Sequence, residues 1–199
     1  MEDKLLRQQL IDAARRIDRR NYQTNNGGNF SARCKEGLML VKPTDVGFAD
    51  VMPEDLVYAD FDGRSVEKDQ KPSKESTLHG VLYHRLPHIG AIMHCHSPWA
   101  VSFADGMEPL YFATYHAPLK LGSYVPVYDT ESYAVSIEKA TMIAEELAVK
   151  YPDAKAFLLR KHGVIALGKN VADSVNIAEL VEETATIALL NRMRGDSKK

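Results

Sequence analysis

Two histidines at alternate positions, His94 and His96 in Gly90-Ala91-Ile92-Met93-His94-Cys95-His96-Ser97, carry the strongest chemical signal in the chain. The run reads as an apolar β-strand. Side chains there alternate between faces, so the two imidazoles project to one side with Cα atoms about 7 Å apart. Both can reach one cation, while Cys95 points the other way. Glu75, in Lys71-Pro72-Ser73-Lys74-Glu75, brings a carboxylate that serves either as a further ligand or as an acid/base. His162, in Arg160-Lys161-His162-Gly163, offers a third imidazole from far along the chain. Three imidazoles and a carboxylate suit Zn²⁺, with Mn²⁺ or Co²⁺ as alternatives, and three protein ligands leave a position open for a substrate oxygen.

Groups able to hold an anion accompany these residues. Gly27 and Gly28, followed by Asn29, suit unusual backbone angles and open main-chain amides to a close-approaching phosphate, although the same loop also reads as a plain helix-to-strand turn. Thr44, in Lys42-Pro43-Thr44-Asp45, ends a strand where its hydroxyl could face the same cleft. Ser73 is expected as a helix N-cap, with Lys74 and Glu75 the first two helical residues. Its hydroxyl, the free first-turn amides and the Lys74 ammonium then form an anion pocket with Glu75 at the edge.

The elements that must position these groups follow from hydrophobic spacing. Leu6, Leu10, Ala13, Ala14 and Ile17 predict an amphipathic helix over about residues 3–20. Phe30 to Arg33 and Leu38 to Val41 read as a hairpin turned at Gly37, and Asp55 to Asp60 as a further strand. The helix after Ser73 carries Leu78, Val81 and Leu82 and stops at Leu86-Pro87. His84 and His88 have helical metal-pair spacing, but Pro87 breaks the helix between them, so surface or packing roles are expected. A helix is expected from Pro98, with Trp99 in the core. Tyr111, Phe112, Tyr115 and His116 form an aromatic stretch whose phenols serve either as acids or as packing. A strand over Tyr124 to Tyr128, a helix over 132–150, strands over 156–160 and 164–168 and a helix over 171–194 complete the chain, with a charged, frayed end at 195–199.

Composition excludes several classes. A chain of 199 residues with 45% hydrophobic and 26% charged residues is expected to fold as one domain over 1–199, long enough to bury roughly 70% of the surface it exposes when unfolded. A net charge of -2 offers no field for nucleic acid or an anionic membrane. No apolar run approaches the ~20 residues of a membrane span, and the charged start Met1-Glu2-Asp3-Lys4 does not read as a signal peptide. Cys34 and Cys95 are too few for a disulfide framework, which points to the cytoplasm.

The series Gly28-Asn29-Phe30-Ser31-x-Arg33, Lys42-Pro43-Thr44, Lys71-Pro72-Ser73-x-Glu75, His94-x-His96-Ser97 and Lys161-His162-Gly163 resembles the class II aldolase/adducin family, nearest its L-fuculose-phosphate aldolase branch. The resemblance implies a three-layer αβα sandwich around a largely antiparallel sheet, and a homotetramer with active sites at subunit interfaces. It implies His94, His96 and His162 as zinc ligands, and Glu75 as a carboxylate that leaves the metal to act as acid/base. Gly28, Asn29, Thr44, Ser73 and Lys74 fall in the phosphate-binding loops. The implied reaction is reversible cleavage of a ketose 1-phosphate into dihydroxyacetone phosphate and an aldehyde through a Zn-stabilised enediolate. Tyr111 and Tyr115 both lie near the place of the tyrosine that serves the aldehyde from a neighbouring subunit. Two positions depart from the aldolase pattern: Lys74 stands for a second Ser and Asp45 for a Gly. Glu75 replaces the Asp of the epimerase branch. Lys74 would suit the carboxylate of a 3-oxo-tetronate 4-phosphate, the substrate of a decarboxylase branch. A methylthioribulose-1-phosphate dehydratase and a non-catalytic adducin-like module are the remaining family readings.

Overall fold

The computed structural model describes residues 2–35, 37–132 and 134–195. Glu36, next to Gly37 in the expected hairpin turn, and residues 196–199 of the expected frayed end lie outside the described residues. The elements run α1 (Glu2–Arg19), β1 (Asn29–Lys35), β2 (Leu38–Val41), β3 (Val57–Asp60), α2 (Ser76–Arg85), β4 (Ala91–Cys95), α3 (Pro98–Ala104), α4 (Ala117–Leu121), β5 (Val127–Tyr128), α5 (Ile137–Lys150), β6 (Ala156–Leu159), β7 (Gly163–Gly168) and α6 (Val171–Met193). The strands form one sheet in the order β3-β2-β1-β4-β7-β6-β5. Its described pairings are antiparallel except β5 with β6, as the family resemblance implied.

Strand alternation divides the core into two layers. On β4, Ala91, Met93 and Cys95 face a cluster built with α1, α3 and α6, while Ile92 faces a second cluster built with α2 and α5. His94 has the parity of Ile92 and lies on the α2 side. The central strands are buried on both faces, which is why β4, β6 and β7 are continuous apolar runs. Register places Asn29 opposite His94 across β1 and β4, and Ile165 opposite His94 across β4 and β7. His94 therefore stands at the middle of the sheet, near the end of β4 and the starts of β1 and β7, where the polar loops converge.

Several boundaries differ from the sequence expectation. Glu75, not Ser73, occupies the N-cap of α2, with φ -94° and ψ 9°, and the helix begins at Ser76. The Ser73 hydroxyl instead accepts a long 3.4 Å bond from the Glu75 amide, leaving Glu75 free to turn out of the helix. The strand around Val127 is short because Pro126 has no amide to donate to a ladder; Val125 bridges Leu110 separately. The expected helix over 132–150 starts only after Ser136, whose hydroxyl accepts from the Lys139 amide at 3.2 Å. The strand expected from Asp55 begins only at Val57, because Asp55 closes a 3-10 turn, Pro53–Asp55. Trp99 is 40% exposed and not a core residue, because the first turn of α3 stands at the surface with Pro98 and Trp99 outward.

Candidate metal centre and anion cleft

The ends of β4 and β7 bring the three expected histidines together. His94 Nε2 lies 3.1 Å from His96 Nε2 and 3.2 Å from His162 Nε2. Potential ligand atoms of the three residues all lie within 4.8 Å of one another. Glu75 arrives from the start of α2, with Oε2 3.2 Å from His94 Nε2 and Oε1 3.6 Å from His162 Nε2. Asn29, the first residue of β1, donates from Nδ2 to Glu75 Oε2 at 2.6 Å and aims the carboxylate.

Hydrogen bonding decides what this cluster can hold. His94 Nδ1 lies 2.9 Å from the Val164 carbonyl oxygen, which can only accept, so Nδ1 carries the proton and Nε2 presents a bare lone pair. That lone pair faces two imidazole nitrogens and a carboxylate oxygen. A proton on one neighbour could satisfy one of these contacts; a cation satisfies all of them. Among the described residues, Glu75 Oε1 and His162 Nδ1 are also buried without a hydrogen-bond partner. The donor set therefore fits a divalent ion of the borderline class. Burial pushes His94, His96 and His162 down to about 4, with the neighbouring imidazoles lowering His96 and His162 further. The three imidazoles are thus neutral at ordinary pH, as metal ligation requires.

Close packing holds the ligands in place. Gly28 sits at φ +60°, and a Cβ there would meet the Gln23 side chain at 2.4 Å and the His94 carbonyl oxygen at 2.8 Å. Gln23 Oε1 in turn accepts from the His96 amide at 2.9 Å. On the opposite side, a Cβ on Gly163 would stand 2.3 Å from the Cys95 carbonyl oxygen. Gly163→Ala is therefore expected to destabilise the protein by about 1–3 kcal/mol, the usual overpacking cost. It should also displace His162, the preceding residue. A thermal melt and a metal titration check both effects; unchanged metal affinity would show that Gly163 does not set the His162 position.

The histidines open into a cleft of about 810 Å³. Every residue expected in the anion pocket lines it: Gly28, Asn29, Thr44, Ser73 and Lys74, with Glu75, His96 and His162 on the floor. His94 lies fully buried behind them. Tyr111 and Tyr115 do not line this cleft; they are 65% and 102% exposed on the surface. His84 and His88 are exposed and away from the cluster.

Other residues of the site carry little signal in the sequence. Lys42 is buried beside the cleft and donates to the Asn26 carbonyl at 3.3 Å and to the Val46 carbonyl, pinning two of the loops that line the cleft to each other. Burial lowers its ammonium to about 8, with Asp45 opposing that shift. The sequence marks it as part of the Lys42-Pro43-Thr44 motif directly after an apolar strand but gives no sign of its burial. Lys161, in the left-handed region at φ 55°, adds another cation to the wall. Gln23 gives no sequence signal, because a glutamine in an Asn-rich loop looks solvated.

A model of the Class II Aldolase and Adducin N-terminal domain matches residues 8–189. The chain is 31% identical to the L-ribulose-5-phosphate 4-epimerase UlaF of Salmonella typhi, over 94% of this chain and 85% of that protein. It is also 31% identical to the 3-oxo-tetronate 4-phosphate decarboxylase of Haemophilus influenzae, over 94% of this chain and 88% of the relative. The crystal structure of L-fuculose-1-phosphate aldolase from Thermus thermophilus superposes with a TM-score of 0.84 at 26% identity, covering 98% of this chain and 97% of that one. The chain belongs to the class II aldolase and adducin family. The relatives just named are enzymes acting through three different reactions, so family membership leaves the particular reaction to the site. No described helix is long and apolar enough to cross a membrane.

Proposed function

We propose that the chain is a single-domain, metal-dependent lyase that reversibly cleaves a ketose 1-phosphate of the L-fuculose 1-phosphate type into dihydroxyacetone phosphate and an aldehyde. The observation that carries this reading is the Glu75 carboxylate, held by Asn29 beside three convergent histidine nitrogens on the floor of an anion-lined cleft. Zn²⁺ suits the donor set best, with Mn²⁺ or Co²⁺ as alternatives. A bound ion of this kind supplies a Lewis acid for negative charge that develops on substrate oxygens as the C3–C4 bond breaks. The amides of Gly28 and Asn29, the hydroxyls of Thr44 and Ser73 and the Lys74 ammonium hold the phosphate. In cleavage, the C4 hydroxyl loses its proton, the bonding pair passes to the ketone fragment, and Glu75 delivers a proton to C3. In condensation it removes the same proton. We assign the proton exchange at the aldehyde to Tyr111 or Tyr115 of a neighbouring subunit in a cytoplasmic homotetramer, a role that their exposure permits.

A second reading, decarboxylation of a 3-oxo-tetronate 4-phosphate, is favoured by Lys74. This residue is exposed at the cleft, adjoins Glu75 and makes no ion pair among the described residues. Loss of carbon dioxide leaves the same kind of electron-rich ketone fragment, so the same floor serves both reactions. A panel of ketose 1-phosphates and 3-oxo acid phosphates, offered to the metal-loaded protein, separates the readings by product. Two carbonyl fragments support the aldolase. Carbon dioxide from the acid, a dehydrated ketone or an epimerised sugar each replace it with a different branch, and no turnover at all favours a non-catalytic adducin-like role. If the acid is the substrate, Lys74→Ser should raise its KM on the order of 10-fold, the loss of one charged contact.

A further inference from the structure

Helix α2 meets β1 through a file of polar contacts, of which the chemistry above uses only the first. Alternate residues of β1 each bond to α2 or its cap. Asn29 reaches Glu75, Ser31 Oγ lies 2.8 Å from His79 Nδ1 and 2.9 Å from the Tyr83 hydroxyl, and Arg33 Nη2 donates to the Tyr83 carbonyl at 2.7 Å. The two periods nearly coincide. Two strand residues advance about 6.6 Å, and four helical residues about 6.0 Å. Residues 29, 31 and 33 therefore stay in step with 75, 79 and 83.

We infer that His79 is the positioning residue for Glu75: its ring, anchored to Ser31, fixes how far α2 slides along β1 and so where the Glu75 carboxylate meets His94. Two contacts converge on this one residue. The His79 amide donates to the Glu75 carbonyl at 3.2 Å, tying the cap to the helix, while the His79 side chain is tied to the sheet. His79, Ser31 and Tyr83 are each at most 1% exposed, so solvent does not compete for these bonds. Apolar packing alone leaves a helix able to slide; directional bonds between buried partners do not. On the other side, Gly80 lies so close to Phe61 that a Cβ would meet the Phe61 carbonyl oxygen at 2.0 Å, which sets the helix's approach rather than its slide. Among the described residues His79 Nε2 is buried without a hydrogen-bond partner, a cost that a purely structural position would shed by carrying Leu.

The inference rests on Glu75 acting at the metal, and the test separates the two. His79→Leu fills the ring volume but cannot reach Ser31; His79→Asn puts an amide where Nδ1 was. Both are compared with wild type and with Glu75→Gln by thermal melting, by titration with Co²⁺ alone, and by turnover. His79→Leu is expected to melt at or above the wild-type temperature, yet bind Co²⁺ and turn over about 10- to 100-fold less well, the range for groups that orient metal ligands. His79→Asn is expected to restore both to within about 3-fold. Wild-type Co²⁺ affinity and turnover in His79→Leu, or losses that merely follow melting temperature in both variants, would overturn the positioning role. Full turnover by Glu75→Gln would instead remove the acid/base reading, while the Co²⁺ affinities would still report whether His79 places the carboxylate.

Discussion

Glu75→Gln is expected to lower kcat for carbon-carbon cleavage by about 10²- to 10⁴-fold, the usual worth of a positioned acid/base, while metal content stays at that of the wild type. The two halves of the expectation have different origins. Metal retention follows from His94, His96 and His162, whose ligand atoms lie within 4.8 Å of one another, and from the side-chain oxygen that Gln keeps where the carboxylate stood. Loss of turnover follows because Gln has the size and polarity of Glu but no basic oxygen. Asn29 Nδ2 can still donate to the side-chain carbonyl that the substitution leaves, so the variant keeps the anchor that now holds Glu75 at 2.6 Å. The proton step can be read alone by following exchange of the C3 hydrogen of dihydroxyacetone phosphate into D2O by NMR. Wild type should exchange it and Glu75→Gln should not. Exchange at the wild-type rate in the variant would place the base elsewhere and sink the assignment.

The parts of the site legible in the sequence are those governed by short-range periodicity. His94 and His96 share a face because strand side chains alternate, and Cys95 points into the opposite core cluster as that rule requires. The β1–β2 hairpin and the long α6 were readable for the same reason. His162 is different. Its convergence with His94 depends on the β4–β7 pairing, a contact across some seventy residues that no local pattern encodes, so the sequence offered it only as a third imidazole that the family motifs then assigned to the metal. Burial of polar residues was the least legible quantity. Lys42, Gln23 and His79 are all at most 2% exposed, yet each looks like a loop or surface residue in sequence, because its partners are carbonyls, amides and hydroxyls on distant segments. Trp99 fails in the other direction. An indole at the first turn of a helix reads as core, but it is the backbone of that turn that faces inward, its Trp99 and Ala100 amides donating to the two oxygens of the buried Glu182 from α6, while the indole is exposed. The start of α2 was misplaced for a functional reason: a helix beginning at Lys74 would hold Glu75 in its first turn, whereas the observed cap conformation sends its carboxylate to the histidines.

Metal affinity is expected to stay flat as pH falls from 8 to about 5 and to drop steeply only near 4, because burial holds all three ligand imidazoles at about 4. A histidine set titrating near its ordinary value would lose affinity between pH 7 and 6. The same displacement makes the metal-free protein acid-sensitive at a higher pH. In the unfolded chain these rings take up protons near 6.5, while in the folded protein they resist until about 4, and His79 until about 3. Between those values the unfolded state binds more protons, so stability is fully present above about pH 6.5 and is lost as pH falls toward 4. Each unit of displacement corresponds to about 1.4 kcal/mol. With the fully buried His79 and His94 dominating, the loss amounts to several kcal/mol, roughly 10 °C in Tm for a chain of this size. Melting in the presence of a chelator from pH 8 to 4.5, paired with metal titrations over the same range, measures both effects. An affinity that falls about tenfold per pH unit already between pH 7 and 6 would mean that the three imidazoles are neither as buried nor as close as their placement around His94 requires.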